Sequence, residues 1–359
     1  MFRVKNICLL IFLSLFTIQT MSDEAFAGSS RRSGTAGAQE LLIPVGSIGT
    51  ALNGANQALA TGTEAIFWNP AGIARTSSNS ETMFSRLNYI AGLDMTYFAA
   101  MVKFEGLGAF ALSLRNLDFG EIIRTTEEFT DGTGETFSPT FITVGLSWSR
   151  VMTDRIGFGV TTKIISEQIM RESAKGIAID IGVQYSSGAG GYRLGVVMKN
   201  LGPNMKFDGP DLEAKYQPPG TEPGTNPEPR RISLQSFELP STLELGVGYE
   251  FLMSEQNSLT VSGDFLNNNF SLDEIKIGAE YSMNHILFLR GGYNIGYNSD
   301  ADEGEGSFTS SSETFLWGPS FGAGLHYDVS NDLTLNVDYA FQTTEFFNDN
   351  QWLTLTVLF

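Results

Sequence analysis

LTLNVDYAFQ, residues 333–342, alternates apolar and polar side chains along almost its whole length. Successive side chains of a β-strand point to opposite faces. Leu333, Leu335, Val337, Tyr339 and Phe341 therefore share one face, and Thr334, Asn336, Asp338 and Gln342 the other. The same division returns in STLELGVGYEF (241–251), where Leu243, Leu245, Val247, Tyr249 and Phe251 oppose Thr242, Glu244 and Glu250. In DEIKIGAEYSM (273–283), Ile275, Ile277, Ala279 and Tyr281 oppose Lys276 and Glu280. In GIAIDIGVQY (176–185), Ile177, Ile179, Ile181, Val183 and Tyr185 oppose Asp180 and Gln184. The chain reads as all-β.

A soluble sandwich alternates as well, so other features must separate it from a membrane barrel. Aromatic side chains crowd the strand ends on the apolar face (Tyr185, Tyr249, Phe251, Tyr281, Phe341), as a girdle at a membrane interface requires. Glycines recur inside strands at 157, 159, 246, 248, 322 and 324, which weakens an open sheet but suits a crowded, curved wall. The final residues LTLTVLF place Leu353, Leu355, Val357 and Phe359 on one face. An amphipathic last strand ending in an aromatic is similar to the signal read by outer-membrane insertion machinery, with Leu355, Val357 and Phe359 as its apolar positions.

About fourteen alternating segments are predicted, near 82–91, 95–104, 107–119, 138–150, 155–168, 175–187, 191–201, 238–252, 257–267, 273–283, 286–297, 317–329, 332–342 and 351–359. With the first strand running outward, the long connections near 120–137, 202–237 and 298–316 fall outside. Those near 151–154, 188–190, 253–256, 284–285 and 330–331 fall inside and are short. Long outer loops and short periplasmic turns are the pattern of a transmembrane antiparallel β-barrel.

No stretch reaches the roughly 20 apolar residues of a membrane-spanning helix, and the mean hydropathy of -0.03 is what a barrel with one apolar face in two would give. Arg3 and Lys5, the short apolar run 8–16 and Ala25-Phe26-Ala27 read as a secretory signal peptide over residues 1–27; an uncleaved anchor is the alternative. Residues 28–44 then form a flexible mature N-terminus, 45–79 a segment without period-two patterning, and 80–359 the barrel. The single cysteine, Cys8, precedes the apolar run, so neither lipidation nor a disulfide framework is expected. A net charge of -18 excludes nucleic acid as a partner, since nothing basic faces a phosphate backbone. Outer-membrane lipid and the insertion machinery are the expected partners, and the bacterial outer membrane the location.

Nothing in the chain spells catalysis. His285 falls in a tight turn, and His326 shares a face with Asp328 without a serine motif beside it. The inward-facing polar set is Asp180, Arg193, Lys199, Glu244, Glu250, Asp264, Lys276, Glu280, Arg290, His326 and Asp338, and its mixed signs suit a mutually paired lumen. The prolines and glycines of 203–236 favour an extended, solvated loop, and 298–313 an acidic one whose spacing matches no Ca²⁺ motif. No cofactor or metal is implied, and the chain is not read as an enzyme.

One segment breaks the alternation. EAIFWNPAGIAR (64–75) carries Asn69 as an N-cap and Pro70 at the first helical position, with Phe67 and Trp68 as anchors. It follows the small-residue stretch VGSIGTALNGANQALATGT (45–63), and a short, partly helical plug in the barrel mouth is expected. Gly46, Gly49, Gly54, Glu64 and the WNPAG motif, Trp68, Asn69, Pro70, Ala71 and Gly72, resemble the PorV/PorQ group of FadL-like outer-membrane barrels. The stretches 145–165 and 193–202 extend that resemblance. NGANQALATGT is more polar than the family pattern. The resemblance implies a fourteen-stranded barrel with an N-terminal hatch. It further implies a role in type IX secretion, engaging exported protein cargo or the translocon. A FadL-like diffusion channel for hydrophobic molecules such as long-chain fatty acids is the alternative, and an adhesion barrel a third reading. Acidic, proline-rich outer loops with few apolar residues tilt the sequence reading towards a protein partner.

Overall fold

The computed structural model describes residues 32, 34–217, 219, 220, 222, 226, 228–298, 307–309, 316–330 and 332–359. The leader read over 1–27 and most of the acidic stretch 298–313 lie outside them. Fourteen strands make the wall: β1 (Ser80–Asn88), β2 (Asp94–Phe104), β3 (Gly108–Asp118), β4 (Thr140–Val151), β5 (Ile156–Ile169), β6 (Glu172–Ser186) and β7 (Tyr192–Leu201). The second half comprises β8 (Thr242–Leu252), β9 (Asn257–Asn268), β10 (Asp273–Met283), β11 (Leu287–Asn298), β12 (Trp317–Ser330), β13 (Leu333–Thr344) and β14 (Asn350–Leu358). Each pairs antiparallel with its sequence neighbours, and β14 returns to β1, from Glu81↔Leu358 to Asn88↔Gln351. Closure leaves the ring without a free edge, which a spanning sheet must achieve because lipid offers no hydrogen bonds.

Burial in this chain is inverted relative to a soluble protein. Leu146, Ile164, Ile177, Leu245, Val247, Ile277, Leu289, Leu325 and Leu353 are exposed on the outside, whereas Asp180, Glu244, Asp264, Arg290 and Asp338 are buried inside. Aromatics gather where strands meet the short turns: Phe104 packs on Phe110, Trp148 on Phe158, Tyr185 on Tyr192 and Tyr249 on Phe251. The six even-to-odd connections are five residues or fewer, and the strand ends that flank the long ones, 119–139, 202–241 and 299–316, all lie at the opposite end. An apolar outer belt with an aromatic girdle on a closed barrel is an outer-membrane architecture, and it locates the chain in the bacterial outer membrane.

Two loop expectations change. Within 203–236 the chain does not stay extended: Glu213–Tyr216 pairs antiparallel with Glu228–Arg231, and Phe207–Asp208 adds to β6. Nor are the outer loops poor in exposed apolar groups, since Ile122, Ile123, Phe129, Ile232, Phe346 and Phe347 are all exposed there.

Candidate functional site

The segment before β1 fills the lumen. Its described part begins at the outer end, where Arg32 bonds Glu238 at 2.8 Å and its guanidinium lies over Phe270, and where Ala36 bridges Glu238. From Ala36 onward the stretch expected to be flexible is packed. Gln39–Leu42 forms a 3-10 turn whose Leu41 inserts among Ile165, Ala174, Ala178, Met205 and Leu239. The chain then passes through α1 (Ser47–Ala51), a loop, α2 (Ala65–Trp68) and a 3-10 turn, Pro70–Arg75, before reaching β1 at the periplasmic end. Helix α1 lies against β11–β14, and the last 3-10 turn against β3–β6.

The wall glycines make this passage possible. At Gly159 a Cβ would meet the Pro70 carbonyl, at Gly182 the Asn69 side chain, at Gly195 the Gln57 backbone and at Gly292 the Leu52 backbone. These positions face the lumen, where backbone approaches backbone, so any side chain would expel the segment.

Each residue of the WNPAG stretch has a definite place. Asn69 Oδ1 accepts from Ala71 N at 3.1 Å, which caps the 3-10 turn. Its Nδ2 donates to the carbonyls of Gln57 at 2.9 Å and Val183 at 3.3 Å, tying the turn to the loop and to β6. Pro70, Ala71 and Gly72 are buried, and Phe67 and Trp68 meet edge-to-face at 4.9 Å. Trp68 Nε1 donates to Val45 O at 3.0 Å. Glu64, fully inside the lumen, accepts from Ile48 N at 3.0 Å and Gly49 N at 3.1 Å with one oxygen, satisfying amides at the start of α1.

The inward polar residues form separate groups rather than one site. Arg290 joins Glu280 and Asp338, the latter at 2.6 Å, and His326 lies 3.5 Å from Asp338. The partner of His326 is therefore Asp338 across the ladder, not Asp328, whose carboxylate accepts from Thr334. Asp180 pairs with Lys163 and accepts from Asn200 N at 2.8 Å. Lys199 meets Glu244 at 2.9 Å, Glu244 accepts from Gln57, and Asp264 accepts from Gln57 N at 2.9 Å. Lys276 reaches Glu274 at 3.4 Å. Arg193 stands apart at the periplasmic end with Glu250, 3.2 Å away. Leu355, Val357 and Phe359 lie on the outer face, and Phe359 pairs with Asn79 and Ser80.

Strand parity also places Arg115, Lys163 and Glu167 inside, and the sequence set above omits them. They share a face with Ser113 in β3 and Thr161 in β5, a signal visible in the alternation. The lumen is not polar all round either. Met83, Leu87, Met95, Tyr97, Ala99, Met101 and Leu117 of β1–β3 face inward and pack with Ile43, Val45, Ile66, Phe67, Trp68 and Ile73.

Above this packing lies a cavity of about 310 Å³, near the outer mouth. Phe67 and Trp68 line it from below, and Leu41, Leu42, Ile43, Tyr89, Leu266 and Trp317 around it. The Tyr89 and Trp317 rings meet at a tilt, 5.9 Å apart, where β1 ends and β12 begins. The Lys199 ammonium lies 4.9 Å from the Phe67 ring and 5.3 Å from that of Trp68. All four charged residues lining the cavity belong to the Lys199–Glu244 and Lys276–Glu274 pairs. Among the described residues no cluster of side chains suits a metal ion.

No protein-family model and no curated protein sequence matches the chain. Solved structures do. The P. putida toluene transporter TodX aligns over 88% of this chain and 98% of its own, with 14% identity and a TM-score of 0.55. A CymD monoaromatic hydrocarbon channel aligns over 88% and 97%, with 11% identity and a TM-score of 0.51. At these identities the likeness is one of fold. It carries the coarse part of the sequence resemblance, a closed outer-membrane β-barrel; the FadL-like and PorV/PorQ assignments rest on sequence stretches alone.

Proposed function

We propose that the chain is an outer-membrane channel for small, neutral, apolar molecules, which enter the cavity above Phe67 and Trp68 and pass when the lumenal segment shifts as a hatch. The observation that carries this reading is the cavity itself. Ligand sites are concave and about 300–1,000 Å³, and this one, at the small end of that range, sets an apolar side of Leu41, Leu42, Ile43, Phe67 and Trp68 against polar Asn53, Asn268, Asn294 and Gln342. It suits a single-ring or short-chain molecule and is far too small for a protein domain. Its cations are already matched by carboxylates, so a neutral guest disturbs no ion pair. Exposed Ile123, Phe129, Ile232 and Phe346 on the outer loops supply apolar surface for capture. Structural neighbours described as toluene and monoaromatic hydrocarbon channels support the same reading. It replaces cargo engagement in type IX secretion as the favoured function, because the apolar-poor loops on which that preference leaned are not what the fold presents.

Uptake of labelled toluene by cells lacking their own hydrocarbon channel tests it. Expression of the chain is expected to raise the rate several-fold over empty vector, with benzoate entering more slowly. Leu42→Trp, narrowing the cavity, is expected to lower toluene uptake while the barrel stays heat-modifiable on gels. A rate equal to the vector control rejects the channel, and an unchanged rate in Leu42→Trp rejects the cavity as its route.

A further inference from the structure

At the opposite end of the lumen is a second, smaller cavity of about 150 Å³. Ala58, Leu59 and Thr61 of the lumenal segment line it, together with Arg75 and with Gln184, Ser186 and Arg193 of the wall. Its position beside the β4–β5 and β6–β7 turns makes it a periplasmic-facing pocket.

Two guanidinium groups share this space. Arg75 Nη2 donates to the carbonyls of Arg155 and Gln184, the latter at 3.1 Å. Arg193 Nη2 reaches Glu250, which also accepts from Gly190 N at 3.3 Å. Each arginine keeps a buried Nε–H with no acceptor in the protein. Buried donors are almost always satisfied, so the two orphaned Nε–H groups mark guanidiniums whose hydrogen bonding the chain leaves incomplete beside one cavity. Burial, and then repulsion from Arg193, work against the charge on Arg75. No carboxylate lines the cavity itself, although the chain carries 40 acidic residues against 22 basic ones.

We propose that the Arg75–Arg193 cavity at the periplasmic mouth binds a phosphate group. Two guanidinium forks converging on one small space present more donors and more charge than a single carboxylate can use. A dianion with three terminal oxygens matches both. Arg75 ends the lumenal segment and Arg193 starts β7, so an occupied site cross-links the segment to the wall. The inference is independent of what passes through the outer cavity. The phosphate can be a free periplasmic ion or the head of an amphiphile, since the same forks hold either.

Isothermal titration of the full barrel in a non-ionic detergent, in a chloride buffer, tests this with inorganic phosphate and decyl phosphate as probes. Saturable binding of at least one probe is expected, weakened tenfold or more in both Arg75→Gln and Arg193→Gln, and unchanged in the surface variant Arg124→Gln. Equal affinity for both probes identifies a free-ion site, and tighter binding of decyl phosphate an amphiphile head site. Arg75→Lys and Arg193→Lys keep the charge and guard against misfolding; binding between wild type and the Gln variants is expected. No saturable binding of either probe by the wild type overturns the proposal, as does unaltered binding in both Gln variants of a barrel that remains heat-modifiable.

Discussion

At the scale of single residues, Asn69 does the work of three. Its side chain caps the 3-10 turn, holds the Gln57 carbonyl and reaches Val183 in β6. Loss of an N-cap costs about 1 kcal/mol and each further hydrogen bond about 0.5–1.5 kcal/mol, although the Gln57 carbonyl keeps a second donor, Gln184 Nε2 at 3.0 Å. Asn69→Ala should therefore loosen the turn more than an ordinary cap deletion would. The wall ladders are untouched, so the barrel should keep its heat-modifiable migration while influx of a large polar antibiotic rises. Unchanged influx would show that the Asn69 contacts are dispensable. Trp68→Ala removes a larger anchor, the edge-to-face contact with Phe67 and the bond to Val45 O. Such core truncations cost about 3–5 kcal/mol. Trp68→Ala is expected to exceed Asn69→Ala in the same influx assay, with Trp68→Phe between wild type and Ala.

At the scale of elements, the lumenal segment is held by contacts that differ from those of the wall. The strands share continuous ladders, whereas α1 is five residues long and relies on Glu64 for two of its amides. A helix that short has no stability of its own. Glu64→Ala should raise amide hydrogen exchange across residues 46–51 by tenfold or more, while exchange in β1–β14 stays at the wild-type level. Equal exchange in 46–51 would mean that packing against β11–β14 suffices without the carboxylate. This difference in how elements are held also explains what the sequence disclosed. Strands such as 241–251 and 333–342 were legible because each has one lipid face and one lumen face, which enforces period two. β1–β3 were harder to divide, since Met83, Met95, Met101 and Leu117 meet the lumenal segment and both faces carry apolar groups. WNPAG announced its capped turn through local chemistry, but the path of 34–63 has no period to read. The inward glycines signalled crowding without saying that Pro70, Gln57 and Leu52 cause it. Neither cavity was visible, because each is made by residues from the lumenal segment and several distant strands.

At the scale of the whole molecule, the direction of threading has a consequence that barrel topology alone does not require. β1 rises from the periplasmic end, yet the described chain begins beside Glu238 and Phe270 at the outer end and descends through the lumen. The wall therefore encloses a segment that runs down the lumen from Arg32 at the outer end. Cysteine substitution reports this directly, since the only native cysteine is Cys8. Arg32→Cys and Phe346→Cys should react with a membrane-impermeant maleimide on intact cells. Met152→Cys, exposed in the turn between β4 and β5, should react only after the outer membrane is opened. Labelling of Arg32→Cys only in opened cells would place the start of the segment in the periplasm. On the proposed channel reading, a shift of the segment would open a route past Trp68 without breaking any ladder of the wall. Transport and barrel integrity are thereby separable, and variants that change influx should leave heat-modifiable migration intact.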